Sequence, residues 1–238
     1  MDLNLICLPF AGGNKYSYRT FESIAPEFIK MHTVEYPGRG QRMHQPLLTD
    51  INSLVIDVYD QIRHLLDKRS YAIYGHSMGG LIAGLLTRKI IDNGHRLPLH
   101  VFITGTTGPS ASSRDEKIRH LLPKNEFIQE LKALNGSPDE ILSDPELLDF
   151  FEPILRADFQ ASETYAHTPA PPMKIPFTVI TGTEEDMKIE DIHLWQEETT
   201  QTIDFRRFPG KHFFIYDYPE EIMKIISKKT FNLIKYHL

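Results

Sequence analysis

Disulfide bonds, long apolar runs and an excess of basic residues are all missing from this 238-residue sequence. Its single cysteine, Cys7, excludes an intrachain disulfide, and the apolar run around it predicts a buried, unreactive thiol. No apolar run approaches the roughly 20 residues that cross a bilayer, and the N-terminus lacks a secretory signal pattern. The formal net charge of −6 provides no global attraction to nucleic acid or anionic membranes. We therefore expect a cytoplasmic protein with no nucleic-acid or membrane partner.

Short apolar runs alternate with amphipathic segments along the chain. The runs predict strands at residues 3–8, 32–36, 71–74, 100–104, 177–181 and 203–208, and the segments predict helices near 54–66, 81–91 and 220–236. Strands separated by helices favour an α/β fold with a mostly parallel sheet that is covered by helices on both faces. Because no repeat or linker interrupts the pattern, we expect residues 1–238 to form one domain.

Residues 113–165 depart from this alternation. They contain no convincing strand, and their apolar spacing predicts helices at residues 126–134, 139–142 and 145–165. A long helical stretch between two sheet strands is typical of an insertion that covers the strand ends. We therefore predict a helical lid over residues 113–165, in which Gly136-Ser137-Pro138 is either a hinge or a plain connection between helices.

A Gly-x-Ser-x-Gly sequence, Gly75 to Gly79, lies between a predicted strand and a predicted helix. This context is that of a nucleophile elbow, in which a strained turn exposes the serine hydroxyl and the flanking glycines avoid Cβ collisions. The helix that follows directs its free N–H groups at the site, so the Met78 N–H is the predicted first oxyanion donor. The elbow predicts a serine hydrolase of the α/β-hydrolase fold with Ser77 as nucleophile.

A serine hydroxyl needs a positioned base, and in this fold class the order along the chain is serine, acid, histidine. Of the eleven histidines, His212 fits this order best, because it lies in a glycine-containing turn between the last predicted strand and the last predicted helix. His76 is adjacent to Ser77 in a strained turn that points the two side chains in different directions. We therefore predict His212 as the general base.

The acid should follow the strand at residues 177–181, where three carboxylates occur in succession: Glu184, Glu185 and Asp186. Asp186 fits the common acid-x-x-apolar spacing, and a shorter side chain is usual at this position. Glu185 fits equally well when the spacing is counted from Gly182. We favour Asp186 and keep Glu185 as the alternative.

The second oxyanion donor should come from the loop after the first strand, Leu8-Pro9-Phe10-Ala11-Gly12-Gly13. The Ala11 N–H is the predicted donor and the Phe10 N–H is the alternative, whereas a plain glycine turn would have no such role. No cluster of His, Cys and Asp has the spacing of metal ligands, so we predict neither a metal nor a cofactor.

Four motifs together resemble those of type II thioesterases, the stand-alone editing enzymes of non-ribosomal peptide and polyketide synthesis. They are Leu8 to Gly13, Glu35-Tyr36-Pro37-Gly38-Arg39-Gly40, Gly75 to Gly80, and the lid stretch Leu134 to Leu142 that continues to Leu155-Arg156-Ala157-Asp158-Phe159. The family's acid usually lies in a Gly-Asp-x-Asp-Pro type of turn, which Glu184-Glu185-Asp186-Met187 replaces here. The identity of the acid therefore stays open.

The resemblance implies hydrolysis of acyl or aminoacyl thioesters from the phosphopantetheine arm of an acyl or peptidyl carrier protein. We expect the enzyme to be a monomer. An acyl-CoA thioesterase, a carboxylesterase and a catalytically idle binding module are the alternatives. Candidates for contact with an acidic carrier are Arg39, Arg42, Lys117 and Arg119, with an ordinary solvated surface as the alternative for each. Arg156 and Asp158 are expected to pair with each other inside the lid.

Overall fold

The structure is a computed structural model that describes residues 2–115, 118–134 and 144–236. Its strands are β1 Leu3–Leu8, β2 Ile29–Thr33, β3 Tyr71–His76, β4 Val101–Thr104, β5 Phe177–Gly182 and β6 Asp204–Phe208. Its α-helices are α1 Arg19–Ile24, α2 Ile51–Leu66, α3 Met78–Asp92, α4 Lys124–Leu134, α5 Pro145–Glu163, α6 Ile189–His193 and α7 Pro219–Tyr236. Within these ranges, no helix has the length and apolar character needed to cross a membrane.

The six strands form one sheet in the order β2-β1-β3-β4-β5-β6, and every described neighbouring pair is parallel. The strand order reverses between β1 and β3, because β2 lies on one side of β1 and all later strands lie on the other. In open α/β sheets, the crevice at the carboxyl ends of the strands beside such a reversal is where ligands bind. The loops after β1 and β3 meet at this crevice, so the topology brings two of the predicted motifs together.

The side chains of the central strands alternate between two apolar clusters. Ile6 and Leu8 of β1 pack into the cluster that includes α2 and α3, whereas Leu5 and Cys7 pack into the one that includes α1 and α7. This period of two places a helical layer on each face of the sheet and confirms the predicted fold class. Cys7 is fully buried, and its burial raises the pKa of the thiol, as an unreactive cysteine requires.

The second strand lies three residues earlier than predicted, at Ile29–Thr33 rather than at residues 32–36. It pairs only with β1, in a register that sets Leu3 opposite Ile29. Since β2 is an edge strand, Lys30 and His32 are tolerated there, and these polar residues obscure the apolar run. Tyr36 is fully buried outside the strand, and its hydroxyl donates to the Pro9 carbonyl at 2.9 Å.

Between β4 and β5, the described residues form helices and loops and contain no strand. Helices α4 and α5 share a small apolar cluster of their own, formed by Phe127, Leu131, Leu148 and Leu155. We call the described part of residues 113–165 the insertion. The helix predicted at residues 139–142 and the Gly136-Ser137-Pro138 segment lie outside the described residues.

Candidate active site

The elbow, residues Gly75–Gly79, joins β3 directly to α3. Ser77 has φ 55° and ψ −119°, the only positive φ of a non-glycine residue in the described ranges. A Cβ on Gly75 would collide with the Gly79 carbonyl, and a Cβ on Gly79 would collide with the Leu8 carbonyl of β1. The glycines are therefore required by backbone packing, which holds Ser77 in its strained conformation above the sheet.

The imidazole of His212 reaches the serine across the carboxyl edge of the sheet. Its Nε2 lies 2.9 Å from Ser77 Oγ, and its Nδ1 lies 2.6 Å from a carboxylate oxygen of Glu185. A carboxylate can only accept, so Nδ1 carries the ring proton and Nε2 accepts from the serine hydroxyl. The predicted pairing of Ser77 with His212 is thus present in the structure.

The carboxylate beside His212 belongs to Glu185, so the preferred prediction of Asp186 is wrong on geometry. The Glu185 carboxylate is 3% exposed, and its other oxygen accepts the Gly182 N–H at 2.5 Å. This bond closes a compact turn, residues 182–187, which we call the acid turn. Asp186 is exposed and lies at the wall of the adjoining cavity instead. A glutamate side chain is long enough to reach His212 from inside the turn.

The acid turn is also fixed against the loop that carries His212. The Glu184 N–H donates to the Gly210 carbonyl at 2.9 Å, and Gly182 is packed so closely that a Cβ would lie 2.5 Å from the same oxygen. Backbone contacts between the two loops therefore set the distance from Glu185 to His212.

Aromatic rings pack around the imidazole of His212 on its buried side. The His76 ring lies 4.9 Å from the His212 ring, and Phe213 packs edge-on against Phe10 at 4.9 Å. His76 is fully buried and makes a 3.0 Å hydrogen bond to Thr104 through Nδ1, away from the serine hydroxyl. Burial and the neighbouring His212 lower the pKa of His76 well below its ordinary value, so this ring is neutral.

The predicted oxyanion donors lie on either side of Ser77. Met78 is the first residue of α3, so its N–H has no intrahelical acceptor. Ala11 and Phe10 lie in the loop after β1, and both line the same cavity as Ser77 and Met78. The geometry thus brings the elbow and the first loop together. Ala11 and Phe10 both remain candidates for the second oxyanion donor.

The cavity above Ser77 has a volume of about 620 Å³. The insertion contributes apolar residues to its lining, including Leu131, Leu155 and Phe159. Charged residues also line it, and they include Arg114, Arg119, Glu130 and Glu163. The insertion therefore forms part of the binding space.

Three of the arginines considered for carrier contact are engaged within the chain. Arg39 is buried and binds Asp158, and Arg42 binds Asp57. Arg119 pairs with Glu130 at 3.1 Å and Glu163 at 3.4 Å. Lys117 lies outside the described residues.

The expected pair of Arg156 with Asp158 is wrong, because each has another partner. Arg156 binds Glu152, one turn earlier on the same helix, at 2.8 Å. Asp158 binds Arg39 from the loop after β2, and it also accepts the Gly12 N–H at 2.7 Å. Sequence reasoning missed this link, although both charges occur in the quoted motifs among apolar residues and glycines.

A parallel sheet with a strained serine elbow after one strand, a carboxylate after a later strand and a histidine after the last defines a serine hydrolase of the α/β-hydrolase fold. The chain matches the Thioesterase domain family over residues 3–230. It belongs to that family and is a thioester hydrolase.

Relatives and solved structures resemble the chain over nearly its whole length. It is 32% identical over 228 residues to the gramicidin S biosynthesis protein GrsT of Aneurinibacillus migulanus, covering 95% of this chain and 88% of GrsT. It is similar to ClbQ from the colibactin NRPS/PKS pathway, with TM-score 0.92, 30% identity, and coverage of 99% and 100% of the two chains. It is also similar to the type II thioesterase BorB from the borrelidin biosynthetic cluster, with TM-score 0.87, 30% identity, and coverage of 96% and 93%.

Proposed function

We propose that this chain is a type II thioesterase that hydrolyses acyl or aminoacyl thioesters from the phosphopantetheine arm of a carrier protein and so removes stalled or misprimed groups. The observation that carries the proposal is the hydrogen-bonded chain from Ser77 through His212 to Glu185 beside a 620 Å³ cavity. Full-length similarity to a type II thioesterase of a biosynthetic cluster supports the editing role.

The geometry supports a two-step reaction at Ser77. Ser77 Oγ attacks the thioester carbonyl carbon while its proton passes to His212 Nε2. The carbon–sulfur bond then breaks, and His212 returns the proton to the departing thiol. Water next attacks the acyl-serine ester, giving its proton to His212, and the free acid leaves with Ser77 restored.

Three further groups assist this reaction in our proposal. Glu185 holds the imidazole in the tautomer with its proton on Nδ1 and stabilises the imidazolium that forms. The N–H groups of Met78 and Ala11 stabilise the tetrahedral oxyanion, and such a donor typically contributes about 3–4 kcal/mol. Phe10 remains the alternative to Ala11, since both line the cavity.

The cavity lining supports acyl groups that carry polar substituents as well as short apolar ones. Arg114 and Glu130 line the cavity together with Leu131 and Phe159. A long alkyl chain would remove these charged groups from water, which is costly even though both keep polar partners within the chain. We propose that the insertion serves as the lid, and the single-domain arrangement, the monomeric state and the cytoplasmic location stay predictions.

Turnover of matched substrates tests the proposal. One acyl group is presented as a carrier-protein thioester, a coenzyme A thioester and an oxygen ester, and Ser77→Ala is compared with Ser23→Ala, which makes the same chemical change at an exposed serine outside the cavity lining. We expect Ser77→Ala to abolish hydrolysis while Ser23→Ala stays within about threefold of the parent protein.

The alternative functions give different results in the same assay. A preference for coenzyme A thioesters or oxygen esters would support an acyl-CoA thioesterase or a carboxylesterase instead. Turnover that persists in Ser77→Ala would reject the proposed nucleophile. Failure of a fluorophosphonate probe to label Ser77 would support a binding module.

A further inference from the structure

Asp158 and Arg39 form a buried ion pair that joins the insertion to the sheet. Arg39 donates to both Asp158 oxygens, at 2.6 and 2.7 Å, and the two side chains are 5% and 0% exposed. Asp158 lies on α5, whereas Arg39 lies in the loop after β2. Such a bidentate, desolvated pair has a defined geometry, and removal of one partner leaves an uncompensated buried charge.

The same pair holds the loop that follows β1. The Asp158 oxygen nearest Arg39 Nη1 also accepts the Gly12 N–H at 2.7 Å, and Arg39 Nη1 donates to the Gly13 carbonyl at 3.1 Å. One peptide N–H and one peptide carbonyl of this loop are therefore bound by the pair. Gly12 directly follows Ala11, so the bond to Asp158 restrains the peptide unit next to the proposed oxyanion donor.

A second contact links the same helix to the same loop. A Cβ on Gly12, whose φ is +77°, would lie 2.5 Å from Leu155 Cδ2. Leu155 is one turn before Asp158 on α5 and lines the cavity. Helix α5 thus contacts the loop through an apolar side chain and a carboxylate on one face, and both contacts require the helix to be seated against the sheet.

We propose that Asp158 is a positioning residue that fixes the loop after β1 for oxyanion stabilisation, so that the site is complete only when α5 is seated. The proposal rests on the proposed function, in which the Ala11 or Phe10 N–H contacts the oxyanion. It gives the insertion a role in the chemistry in addition to its role as a cavity wall. Seating of the helix by a bound acyl group would assemble the oxyanion site around its substrate.

Two variants of the pair separate positioning from charge balance. Arg39→Met with Asp158→Leu removes both charges together, which buried pairs often tolerate, but leaves the Gly12 N–H without its acceptor. Asp158→Asn leaves a single, neutral acceptor for the Gly12 N–H and loses the bidentate bond to Arg39, so it weakens the restraint on the loop without removing it. Glu152→Gln is the matched control, because it breaks the Arg156 ion pair on the same helix without a bond to the loop.

Each variant is assayed for hydrolysis and for binding of two pantetheine analogues. Ser77 adds to the carbonyl carbon of a trifluoromethyl ketone and forms a tetrahedral adduct that carries an oxyanion. An S-alkyl thioether forms no adduct and only occupies the substrate-binding site. For the double variant we expect kcat to fall about 10- to 100-fold, since small misplacement of catalytic groups has effects of this size. Its affinity for the ketone should fall by the same factor, whereas KM and the thioether affinity should change by no more than about twofold.

Asp158→Asn should show a smaller loss of the same kind, and Glu152→Gln should match the parent protein. A folded double variant with parental kcat and ketone affinity would overturn the proposal, as would an equal loss of affinity for both analogues. Where thermal denaturation shows that the double variant does not fold, Asp158→Asn decides. The ketone affinity must then fall at least about threefold more than the thioether affinity.

The proposed function can fail separately from this inference. Absence of thioester turnover by the parent protein would reject the function. The ketone affinities of the parent and the variants would still show whether Asp158 positions the loop, because adduct formation requires Ser77, its base His212 and the oxyanion donors but no thioester hydrolysis.

Discussion

The elbow and the acid turn each place a side chain against His212, but they are fixed by different forces. In the elbow, backbone atoms of β1, β3 and α3 approach so closely that Gly75 and Gly79 cannot carry a Cβ. In the acid turn, hydrogen bonds from Gly182 to Glu185 and from Glu184 to Gly210 determine which carboxylate faces inward. The elbow therefore depends on packing and the acid turn on polar contacts.

This difference predicts different consequences for substitution. A change in the elbow should act on the folded structure as a whole, because the colliding atoms are main-chain atoms of the central strands. A side-chain change at Glu184, Glu185 or Asp186 should act on the reaction and leave the fold intact, because these side chains lie outside the two apolar clusters of the sheet.

Glu185→Gln tests the acid turn and has the largest expected effect. The amide cannot stabilise the imidazolium and favours the wrong imidazole tautomer, so kcat should fall about 10³- to 10⁴-fold with little change in folding. Steady-state kinetics measures the loss, and circular dichroism checks the fold. Asp186→Asn is the matched control and should stay within about threefold of the parent protein; a larger loss at Asp186 than at Glu185 would contradict the geometric assignment.

Gly79→Ala tests the elbow and comes next in size. The added methyl group meets the Leu8 carbonyl, so the free energy of unfolding should fall by about 3 kcal/mol or more. Gly94→Ala is the control, because Gly94 has open space around it and a positive φ of +71°, so an added Cβ meets backbone strain there but no collision. That strain alone should cost about 1 kcal/mol. If urea denaturation shows equal losses of unfolding free energy in Gly79→Ala and Gly94→Ala, packing does not determine the elbow.

The pH dependence of stability gives the smallest effect and compares His76, beside the site, with His100 at the other end of the sheet. Burial lowers the pKa of both imidazoles, that of His100 to about 3. Below about pH 6.5 the unfolded chain takes up protons that these buried rings do not. The contribution of these two histidines to the free energy of unfolding should therefore be constant above about pH 6.5. As the solution is acidified below that pH, the free energy of unfolding should fall by about 1.4 kcal/mol per pH unit for each histidine.

Urea denaturation of His76→Gln and His100→Gln between pH 7 and pH 4.5 measures this dependence. Each variant should reduce the slope of the free energy of unfolding against pH by the equivalent of about one proton. His76→Gln should also lower kcat, because its ring packs 4.9 Å from that of His212, whereas His100→Gln should not. An unchanged slope in either variant would contradict the assignment of a neutral buried ring.

The same contrast explains what could be predicted from the sequence. The elbow has a fixed spacing because its steric requirement is local, so Ser77 and Met78 were identifiable without a structure. His212 followed from its place after the last strand. The acid could not be identified from the sequence, because Glu184, Glu185 and Asp186 follow the same strand in succession. The choice among them depends on a turn that is held by the Gly182 N–H and the Gly210 carbonyl.

The link from Asp158 to Arg39 and Gly12 lay beyond sequence reasoning for a different reason. Its members are 119 and 146 residues apart, so no local periodicity brings them together. The nearby Arg156 offered a plausible partner on the same helix, and only the packing of α5 against the sheet shows that Asp158 faces the other way.

The long separation of the reacting groups has a consequence for synthesis on the ribosome. The serine at position 77 emerges early, but its partner imidazole lies 135 residues further along the chain. Because a nascent chain appears from its N-terminus, the hydroxyl stays an ordinary alcohol until almost all of the polypeptide has been translated. An incomplete copy of this hydrolase that lacks His212 therefore cannot hydrolyse a thioester through Ser77.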